Sequence, residues 1–434
     1  MDIWKVRGGG RLEGACYVQG SKNASLPIIA ASLICPAETE LMNVPRLRDV
    51  DSALRILRHL GCGAQQRGND VYINSAGISE NKIPHALMLE MRSSVIFMGA
   101  LLARCGEARL SLPGGCQLGA RPIDIHISAL RKMGAEIEED GSNICCKASR
   151  LQGCELYLPF PSVGATENIM LAASTAEGET VIHGAAREPE IEALAEYMRR
   201  LGCLVTGDGT ERIVISGISA KPQVSHRIIS DRIVAATIAC AAACAGGDVE
   251  LRAVDSEHFS TVLYFLKQAG CDIICDKYNV RLRSGGRLKA VGDVCTQPYP
   301  GFPTDAQPVL MAAMLKAQGR TVITENIFEN RYRQAGQLCR LGADIRIKGK
   351  VAEIKGVNSL SGTELAASDL RGGAAMIVAG LSADGLTEIH DEGHIKRGYE
   401  DFDEVLRSLG ADIKLSEMKG NADGIQYTYE KTQN

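Results

Sequence analysis

Residues 54–64 read LRILRHLGCGA, an amphipathic helix that ends in Leu-Gly and leads into an apolar strand. This stretch decides the fold because it recurs five more times, as ISALRKMGAEI (127–137), LAEYMRRLGCLV (194–205), LYFLKQAGCDI (263–273), AGQLCRLGADI (335–345) and DEVLRSLGADI (403–413). The helix-ending glycines fall at intervals of 68 to 73 residues, at Gly61, Gly134, Gly202, Gly270, Gly342 and Gly410. Glycine takes the left-handed conformation that ends a helix without a side-chain penalty. The spacing therefore predicts a sixfold repeat.

A second helix recurs between these copies and is apolar on nearly all sides. It is followed each time by a short polar turn and a strand, and it covers Ser93–Arg104, Thr166–Ala176, Asp231–Ala245, Asp305–Lys316 and Asp369–Leu381. A helix that is apolar all round is buried all round. The pattern predicts an α/β fold, an inside-out α/β barrel in two lobes built from six repeated units, with helices inside and sheets toward solvent.

The size of the chain indicates how these units are grouped. Six units exceed what one hydrophobic core usually holds, so we expect two lobes of three units. The first lobe would cover residues 22–229, and the second would combine residues 230–434 with the N-terminal strands in residues 1–21. Ligand clefts favour such interfaces, so we expect the active site between the lobes.

The composition excludes several classes of protein. The chain has 434 residues, of which 45% are hydrophobic and 23% charged, which is ordinary for a globular protein and unlike a disordered chain or a fibre. Aromatic residues are only 4% and the net charge is -4. We therefore expect no nucleic-acid partner, and an anionic ligand would need a local basic pocket.

The sequence also bears on cellular location and on metals. No apolar run approaches the roughly 18 residues that span a bilayer, and the first residues, MDIWKVRGGG, lack the apolar core of a signal peptide. We expect a cytoplasmic protein with no membrane partner, whose 15 cysteines are mostly reduced thiols. No paired C-x-x-C set is present, so we expect no metal site.

Two glycine-containing segments are candidates for anion binding and for catalysis. Lys22 lies just before an apolar helix, whose free amide groups and dipole would attract an anion. The alternative is a helix cap with a solvated lysine. Cys116 lies in a loop rich in glycine and proline, residues 113–122, with Arg121 five residues later. A thiol there would become more acidic, although an inert thiol is the competing interpretation.

Other segments place polar groups at helix starts and turns. Ser162, Val163 and Gly164 open a helix, where capping explains the serine equally well. Asp305 and Asp369 each precede an apolar helix, and an aspartate in that position is usually a cap. Basic residues recur near turns that a repeat architecture could bring to one cleft, namely Lys22, Arg92, Arg121, Arg331, Arg371 and Arg397. Arginine contacts of this kind suit a carboxylate and a phosphate bound together.

The motifs together resemble the enolpyruvyl transferase family. SKNASLP, PGGCQLGARPIDIHI, SVGATENIM, REPEI, SDRI, FPTDAQ, ENIFENR, SDLR and RGYE stand in the family's order and cover essentially the whole chain. The cysteine loop and SVGATEN are specific to the branch that acts on UDP-N-acetylglucosamine, as distinct from the sister branch that acts on shikimate 3-phosphate. The chain departs from common family residues at Arg48, Ile96, Val234 and Gly372.

The resemblance implies a reaction and its participants. The enolpyruvyl group of phosphoenolpyruvate would move to the 3'-hydroxyl of UDP-N-acetylglucosamine, with loss of phosphate and with no metal or organic cofactor. Cys116 would be the acid, able also to form a covalent thioketal, and Asp305 the base toward the sugar hydroxyl. Lys22, Arg121 and Arg397 would hold phosphoenolpyruvate.

The same resemblance implies the remaining binding residues. The uridine nucleotide site would comprise Asn23, Arg92, Arg121, Pro122, Ile123, Asp124, Ile125, Ser162, Val163, Gly164, Asp305 and Ile327. Asp369 and Arg371 would support the cleft, and Arg331 would add a further basic contact. Two rival functions stay open: a transferase that acts on shikimate 3-phosphate, and a non-catalytic sensor that binds the sugar nucleotide and releases no phosphate.

Overall fold

The computed structural model describes residues 1–111, 123–141, 143–219, 221–419 and 427–429. The chain forms two compact units, which we call the continuous unit (Gln19–Ile229) and the discontinuous unit (Met1–Val18 with Ser230–Asn434). The chain enters the continuous unit three residues before the boundary expected from sequence. The physical reason is local: the amide of Ser21 donates to the carbonyl of Ile229 at 2.7 Å, and Gly20 lies directly against the backbone of Asn43.

The helices alternate between the two types that the sequence predicts. All six predicted C-terminal glycines have positive φ, between 93° and 103°, which confirms the repeat. The α-helices of the described residues are α1 (Lys22–Ala31), α2 (Arg48–His59), α3 (His85–Glu90), α4 (Phe97–Cys105), α5 (Asp124–Lys132), α6 (Val163–Ala173), α7 (Pro189–Leu201), α8 (Arg232–Ala245), α9 (Ser260–Gln268), α10 (Gln307–Ala313), α11 (Ala335–Arg340), α12 (Leu370–Ser382) and α13 (Phe402–Ser408). Short 3-10 helices cover Arg92–Ile96, Ser256–Phe259, Thr304–Ala306, Met314–Lys316 and Ile395–Arg397.

The strands form six small sheets. In chain order they are β1 (Asp2–Arg7), β2 (Leu12–Tyr17), β3 (Glu38–Met42), β4 (Gly63–Arg67), β5 (Asp70–Asn74), β6 (Lys82–Ile83), β7 (Glu107–Ser111), β8 (Glu136–Asp140), β9 (Asn143–Lys147), β10 (Glu155–Tyr157), β11 (Glu179–His183), β12 (Cys203–Thr206), β13 (Arg212–Ile218), β14 (Gln223–Arg227), β15 (Gly247–Arg252), β16 (Asp272–Cys275), β17 (Asn279–Ser284), β18 (Gly292–Cys295), β19 (Arg320–Thr324), β20 (Asp344–Lys348), β21 (Val351–Lys355), β22 (Glu364–Ala366), β23 (Leu386–Asp391), β24 (Asp412–Lys419) and β25 (Tyr427–Tyr429).

Three sheets belong to each unit. The continuous unit has the orders β14-β3-β5-β4, β6-β7-β9-β8 and β10-β11-β13-β12. The discontinuous unit has β22-β23-β1-β24-β25, β16-β17-β15-β2 and β18-β19-β21-β20, so the N-terminal strands β1 and β2 complete two of its sheets. Among the described strands, no sheet closes on itself. The fold is therefore α/β, as predicted, and "barrel" describes only the arrangement of sheets around helices.

The apolar helices lie at the centre of each unit. In the discontinuous unit, α8, α10 and α12 pack against one another, and nearly all their residues are buried. In the continuous unit, α1, α4 and α6 are buried in the same way, while α2 buries one face and exposes Asp51 and Arg58. No helix of the described residues is long and apolar enough to cross a membrane.

The cysteines of the described residues are all free thiols. Cys240 and Cys244 lie inside α8, where burial raises the pKa of both thiols, that of Cys244 to about 12. Such thiols stay protonated and unreactive at neutral pH. They behave as small core residues, as the alanine-rich sequence around them predicts.

Candidate active site

The predicted lysine stands at the start of α1 in the continuous unit. Ser21 caps the helix by accepting from the amide of Ala24 at 3.2 Å, and Lys22 and Asn23 are the first two helical residues. The Nζ of Lys22 lies 3.2 Å from Oδ2 of Asp49, and both side chains are largely buried. The lysine is therefore held by a buried ion pair and is not a solvated residue beside a cap. Asn23 is half-buried.

The start of α6 presents the second predicted group. Ser162 is the N-cap and accepts from the amide of Ala165 at 3.4 Å, so the capping interpretation is correct for this serine. Val163 and Gly164 follow it and are half-buried. Amide groups in the first turn of a helix have no partner within the helix, and they can therefore bind an anion.

Several predicted residues lie around the segment between β7 and α5. Cys116, Arg121 and Pro122 lie outside the described residues. Ile123 precedes α5 and packs against the core of the continuous unit, Asp124 opens the helix and is exposed, and Ile125 is half-buried. Arg92 opens a 3-10 helix that leads into α4.

The most constrained predicted group is Asp305, in the discontinuous unit. Its Oδ1 accepts from Nη2 of Arg331 at 2.6 Å, and its Oδ2 accepts from Nη2 of Arg371 at 3.0 Å. The side chains of Arg331 and Arg371 are only 2% and 4% exposed, whereas that of Asp305 is 30% exposed. One carboxylate thus bridges two buried guanidinium groups and still reaches solvent. The structure brings together three residues that sequence analysis had named separately.

A buried tyrosine also contacts Arg371. Nη1 of Arg371 donates to the hydroxyl of Tyr399 at 3.3 Å, and that hydroxyl is 3.0 Å from Oγ1 of Thr237. Burial alone would lower the pKa of Arg371, but the charge of Asp305 and the contact with Tyr399 raise it above its ordinary value. Burial also raises the pKa of Tyr399. At neutral pH we therefore expect a charged arginine beside a neutral phenol.

A buried glutamate organises the loop that carries Ile327. Glu325 accepts from the hydroxyls of Thr296 and Thr304 at 3.0 to 3.1 Å and from the amides of Ile327 and Phe328 at 2.8 and 3.0 Å. Because Thr304 directly precedes Asp305, the carboxylate of Glu325 fixes both the loop that carries Ile327 and the turn that carries Asp305. Glu325 belongs to the motif ENIFENR, but its role was not predicted from sequence. Nothing in the local sequence distinguishes it from an exposed glutamate after a strand.

The remaining predicted residues of the discontinuous unit have distinct settings. Asp369 is the N-cap of α12 and accepts from the amides of Arg371 and Gly372 at 3.1 and 2.9 Å, so the cap interpretation is correct. This cap also orients the backbone that carries Arg371. Arg397 ends a 3-10 turn and is half-exposed. Asp391 secures that turn by accepting from the amides of His394 and Ile395.

Three supporting residues were missed by sequence analysis as members of the site. Asp49, Glu325 and Tyr399 each contact a predicted residue or the segment that carries it. Asp49 stands in the first turn of α2, where an acidic residue is ordinarily explained by the helix dipole alone. Among the described residues, no group of histidine, cysteine, aspartate or glutamate has the arrangement of a metal site.

Comparisons with known proteins identify the family of the chain. Residues 6–422 match the family described as EPSP synthase (3-phosphoshikimate 1-carboxyvinyltransferase). The chain is 45% identical over 413 residues to UDP-N-acetylglucosamine 1-carboxyvinyltransferase 2 of Caldanaerobacter subterraneus subsp. tengcongensis, which covers 95% of this chain and 99% of that relative. It is equally similar, with the same coverage, to UDP-N-acetylglucosamine 1-carboxyvinyltransferase of Geotalea uraniireducens.

Solved structures agree on the fold. The enolpyruvyl transferase NikO from Streptomyces tendae superposes with a TM-score of 0.86 at 24% identity, over 95% of this chain and 98% of that one. EPSP synthase from Acinetobacter baumannii gives a TM-score of 0.76 at 22% identity, over 96% of this chain and 100% of that one. With the family match over most of the length and relatives at 45% identity, the chain belongs to the enolpyruvyl transferase family, among the UDP-N-acetylglucosamine 1-carboxyvinyltransferases.

Proposed function

We propose that this chain transfers the enolpyruvyl group of phosphoenolpyruvate to the 3'-hydroxyl of UDP-N-acetylglucosamine and releases phosphate, as the first committed step of peptidoglycan synthesis in the cytoplasm. The observation that carries the proposal is 45% identity, over 95% of the chain, to relatives named for this transfer. The supporting geometry is Asp305, a carboxylate that reaches solvent while two buried arginines fix both of its oxygens.

The reaction is an addition followed by an elimination. In the addition, the sugar hydroxyl loses a proton, its oxygen bonds to C2 of phosphoenolpyruvate, and the methylene carbon gains a proton. In the elimination, the bond from C2 to the phosphate oxygen breaks, phosphate leaves, and the methyl group loses a proton, which restores the double bond. Both stages require proton transfer by positioned side chains, and the transfer needs no metal or organic cofactor.

The residues of this chain supply those proton transfers. We assign Cys116 as the acid toward the methylene carbon, with the capacity to form a thioketal with the substrate. We assign Asp305 as the base toward the sugar hydroxyl. Arg331 and Arg371 fix the direction of its oxygens. Glu325 fixes the turn that carries Asp305, and Tyr399 fixes Arg371.

The cationic residues would bind the anionic parts of phosphoenolpyruvate. We assign Lys22, Arg121 and Arg397 to its phosphate and carboxylate, where their charge stabilises the tetrahedral intermediate as it forms. The sugar nucleotide would contact Asn23, Arg92, Arg121, Pro122, Ile123, Asp124, Ile125, Ser162, Val163, Gly164, Asp305 and Ile327. Arg331, Asp369 and Arg371 would complete the binding set.

A phosphate-release assay tests the proposal. Phosphoenolpyruvate is supplied with UDP-N-acetylglucosamine in one reaction and with shikimate 3-phosphate in another. The second substrate is included because the matched family is described by the shikimate reaction. We expect phosphate only with the sugar nucleotide. Phosphate only with shikimate 3-phosphate would move the chain to the sister reaction, and nucleotide binding without phosphate release would make it a sensor.

A further inference from the structure

Asn168 is a fully buried polar residue at the centre of the continuous unit, in α6. Its Oδ1 accepts from the amide of Gly99 at 2.7 Å. Its Nδ2 donates to the carbonyl of Val95 at 3.0 Å and to Nδ1 of His126 at 2.8 Å. One side chain therefore makes three hydrogen bonds, each to a different position and all outside its own helix.

Those three partners lie in segments that carry predicted nucleotide-binding residues. Val95 and Gly99 belong to the 3-10 helix that begins at Arg92 and to α4, which continues it. His126 lies in the first turn of α5, directly after Ile123–Ile125. Asn168 itself stands in α6, whose first turn contains Ser162–Gly164. The three segments are separate in sequence, and the side chain of Asn168 links them by hydrogen bonds.

The packing around Asn168 leaves little room for adjustment. A side-chain carbon added at Gly99 would lie 2.2 Å from the backbone oxygen of Asn168, so α4 and α6 meet here with no side chain between them. Buried polar groups that are fully hydrogen-bonded specify one arrangement, because any displacement leaves a donor or an acceptor unsatisfied. The contact is therefore rigid.

The hydrogen bond to His126 also determines the state of its ring. Because Nδ1 accepts from the amide of Asn168, the proton of the neutral ring belongs on Nε2. Burial lowers the pKa of His126 to about 4, against the opposing charge of Asp124, so the ring is neutral at pH 7. The edge of the ring that carries Nε2 lies against Gly164. A side-chain carbon added at Gly164 would lie 3.6 Å from Nε2 of His126.

We propose that Asn168 is a positioning residue for the sugar nucleotide: through Gly99, Val95 and His126 it sets the relative placement of the three segments that bear Arg92, Ile123–Ile125 and Ser162–Gly164. The inference rests on the proposed function, since it concerns how the nucleotide of that reaction is bound. It predicts that changes at Asn168 or His126 weaken nucleotide binding even though the fold is retained.

The test measures the Kd of UDP-N-acetylglucosamine by calorimetry, together with thermal unfolding, for two variants of His126. His126→Asn keeps an acceptor close to the position of Nδ1, and His126→Phe keeps a ring of similar size without an acceptor. We expect His126→Asn to bind within about threefold of the original chain and His126→Phe to bind about tenfold more weakly. A purely structural role would change the unfolding temperature and leave both Kd values alike.

Asn168→Ser is a third variant, and Ser174→Ala is its matched control. Ser174 is also fully buried in this helix region, but its hydroxyl donates only to Leu171, in the same helix. We expect Asn168→Ser to weaken nucleotide binding about tenfold with the KM of phosphoenolpyruvate changed less than threefold, and Ser174→Ala to bind normally. The double variant with Asn168→Ser and His126→Phe should weaken nucleotide binding by less than the product of the two single factors, because both changes remove the same hydrogen bond.

The outcomes separate this inference from the proposed function. If the original chain neither binds UDP-N-acetylglucosamine nor releases phosphate with it, the proposed function is wrong and the positioning role is wrong with it. If the original chain is active and folded His126→Phe binds the nucleotide as tightly as His126→Asn, the positioning role alone is overturned. Should Asn168→Ser fail to fold, the pair of His126 variants decides.

Discussion

Replacing Asp305 with asparagine tests whether the carboxylate anchors the discontinuous unit as well as acting on substrate. In the structure, its two oxygens accept from Arg331 and Arg371, whose side chains are 2% and 4% exposed. Asparagine keeps one accepting oxygen but turns an NH2 group toward the second guanidinium. Both buried cations then lose the negative charge that they share, and one of them also faces another donor.

The magnitude follows from that burial. Removing one partner of a buried ion pair typically costs about 3 to 5 kcal/mol, and a single charged hydrogen bond contributes about 1.5 to 3 kcal/mol. Because Asp305 is itself 30% exposed, we expect the lower figure, about 3 kcal/mol of unfolding free energy. For a unit of roughly 200 residues this corresponds to a fall in Tm of about 6 to 12 °C.

The assay is urea and thermal unfolding of Asp305→Asn beside a matched control, Asp248→Asn. Asp248 also bridges two arginines, Arg281 and Arg283, with N–O distances of 2.7 to 2.9 Å, but on an exposed sheet surface. We expect the control to change the Tm far less, because solvent screens exposed pairs. Equal losses for the two variants would refute the reasoning from burial. Activity should be nearly abolished in Asp305→Asn and unchanged in Asp248→Asn.

Three further predictions concern pH, substrate binding and the acid. Burial lowers the pKa of His226 to about 4, and smaller effects come from Glu196, which raises it, and Arg200, which lowers it, whereas an unfolded histidine titrates near 6.5. Between these pH values only the unfolded chain takes up the proton, so the contribution of neutral His226 to folding stability is complete above pH 6.5 and is lost as the pH falls toward 4. Measured by urea unfolding relative to His226→Phe, the loss of unfolding free energy should reach about 3 kcal/mol. A difference between the two chains that does not depend on pH would contradict this prediction. Lys22→Ala should weaken the use of phosphoenolpyruvate by roughly 30- to 150-fold in steady-state phosphate release, and Asp49→Asn by about three- to tenfold. Equal losses for the sugar nucleotide would contradict the assignment of Lys22 to phosphoenolpyruvate. Cys116→Ser should be nearly inactive because a hydroxyl is a weak acid. Cys116→Asp should keep turnover with a pH optimum lower than that of the original chain, where the new carboxyl is protonated. A folded Cys116→Asp variant that is inactive at every pH would favour a covalent role for Cys116.

The sequence was sufficient for the architecture because burial and backbone conformation are local properties that repeat along it. Gly61 and its five counterparts end helices with positive φ, where only glycine is free of a side-chain penalty. The run Asp231–Ala245 is apolar after its first two residues, which predicts a buried helix, and it forms the interior α8. The motifs that resemble the enolpyruvyl transferases could also be recognised from the sequence alone, because each is a short contiguous segment.

Only the tertiary structure decided which side chains meet. Asp305 lies 26 residues from Arg331 and 66 from Arg371. The packing of α10 against α12 brings Asp305 and Arg371 together, and Arg331 reaches the same carboxylate from the segment between β19 and α11. The repeat does not show that these side chains touch. The same holds for Asn168, which reads as one more polar residue at a helix start until its hydrogen bonds 69 and 42 residues away are seen. A sequence pattern reports how each element is buried, whereas hydrogen bonds between elements depend on how the helices pack, which is why residues such as Glu325 and Tyr399 acquire their roles only in three dimensions.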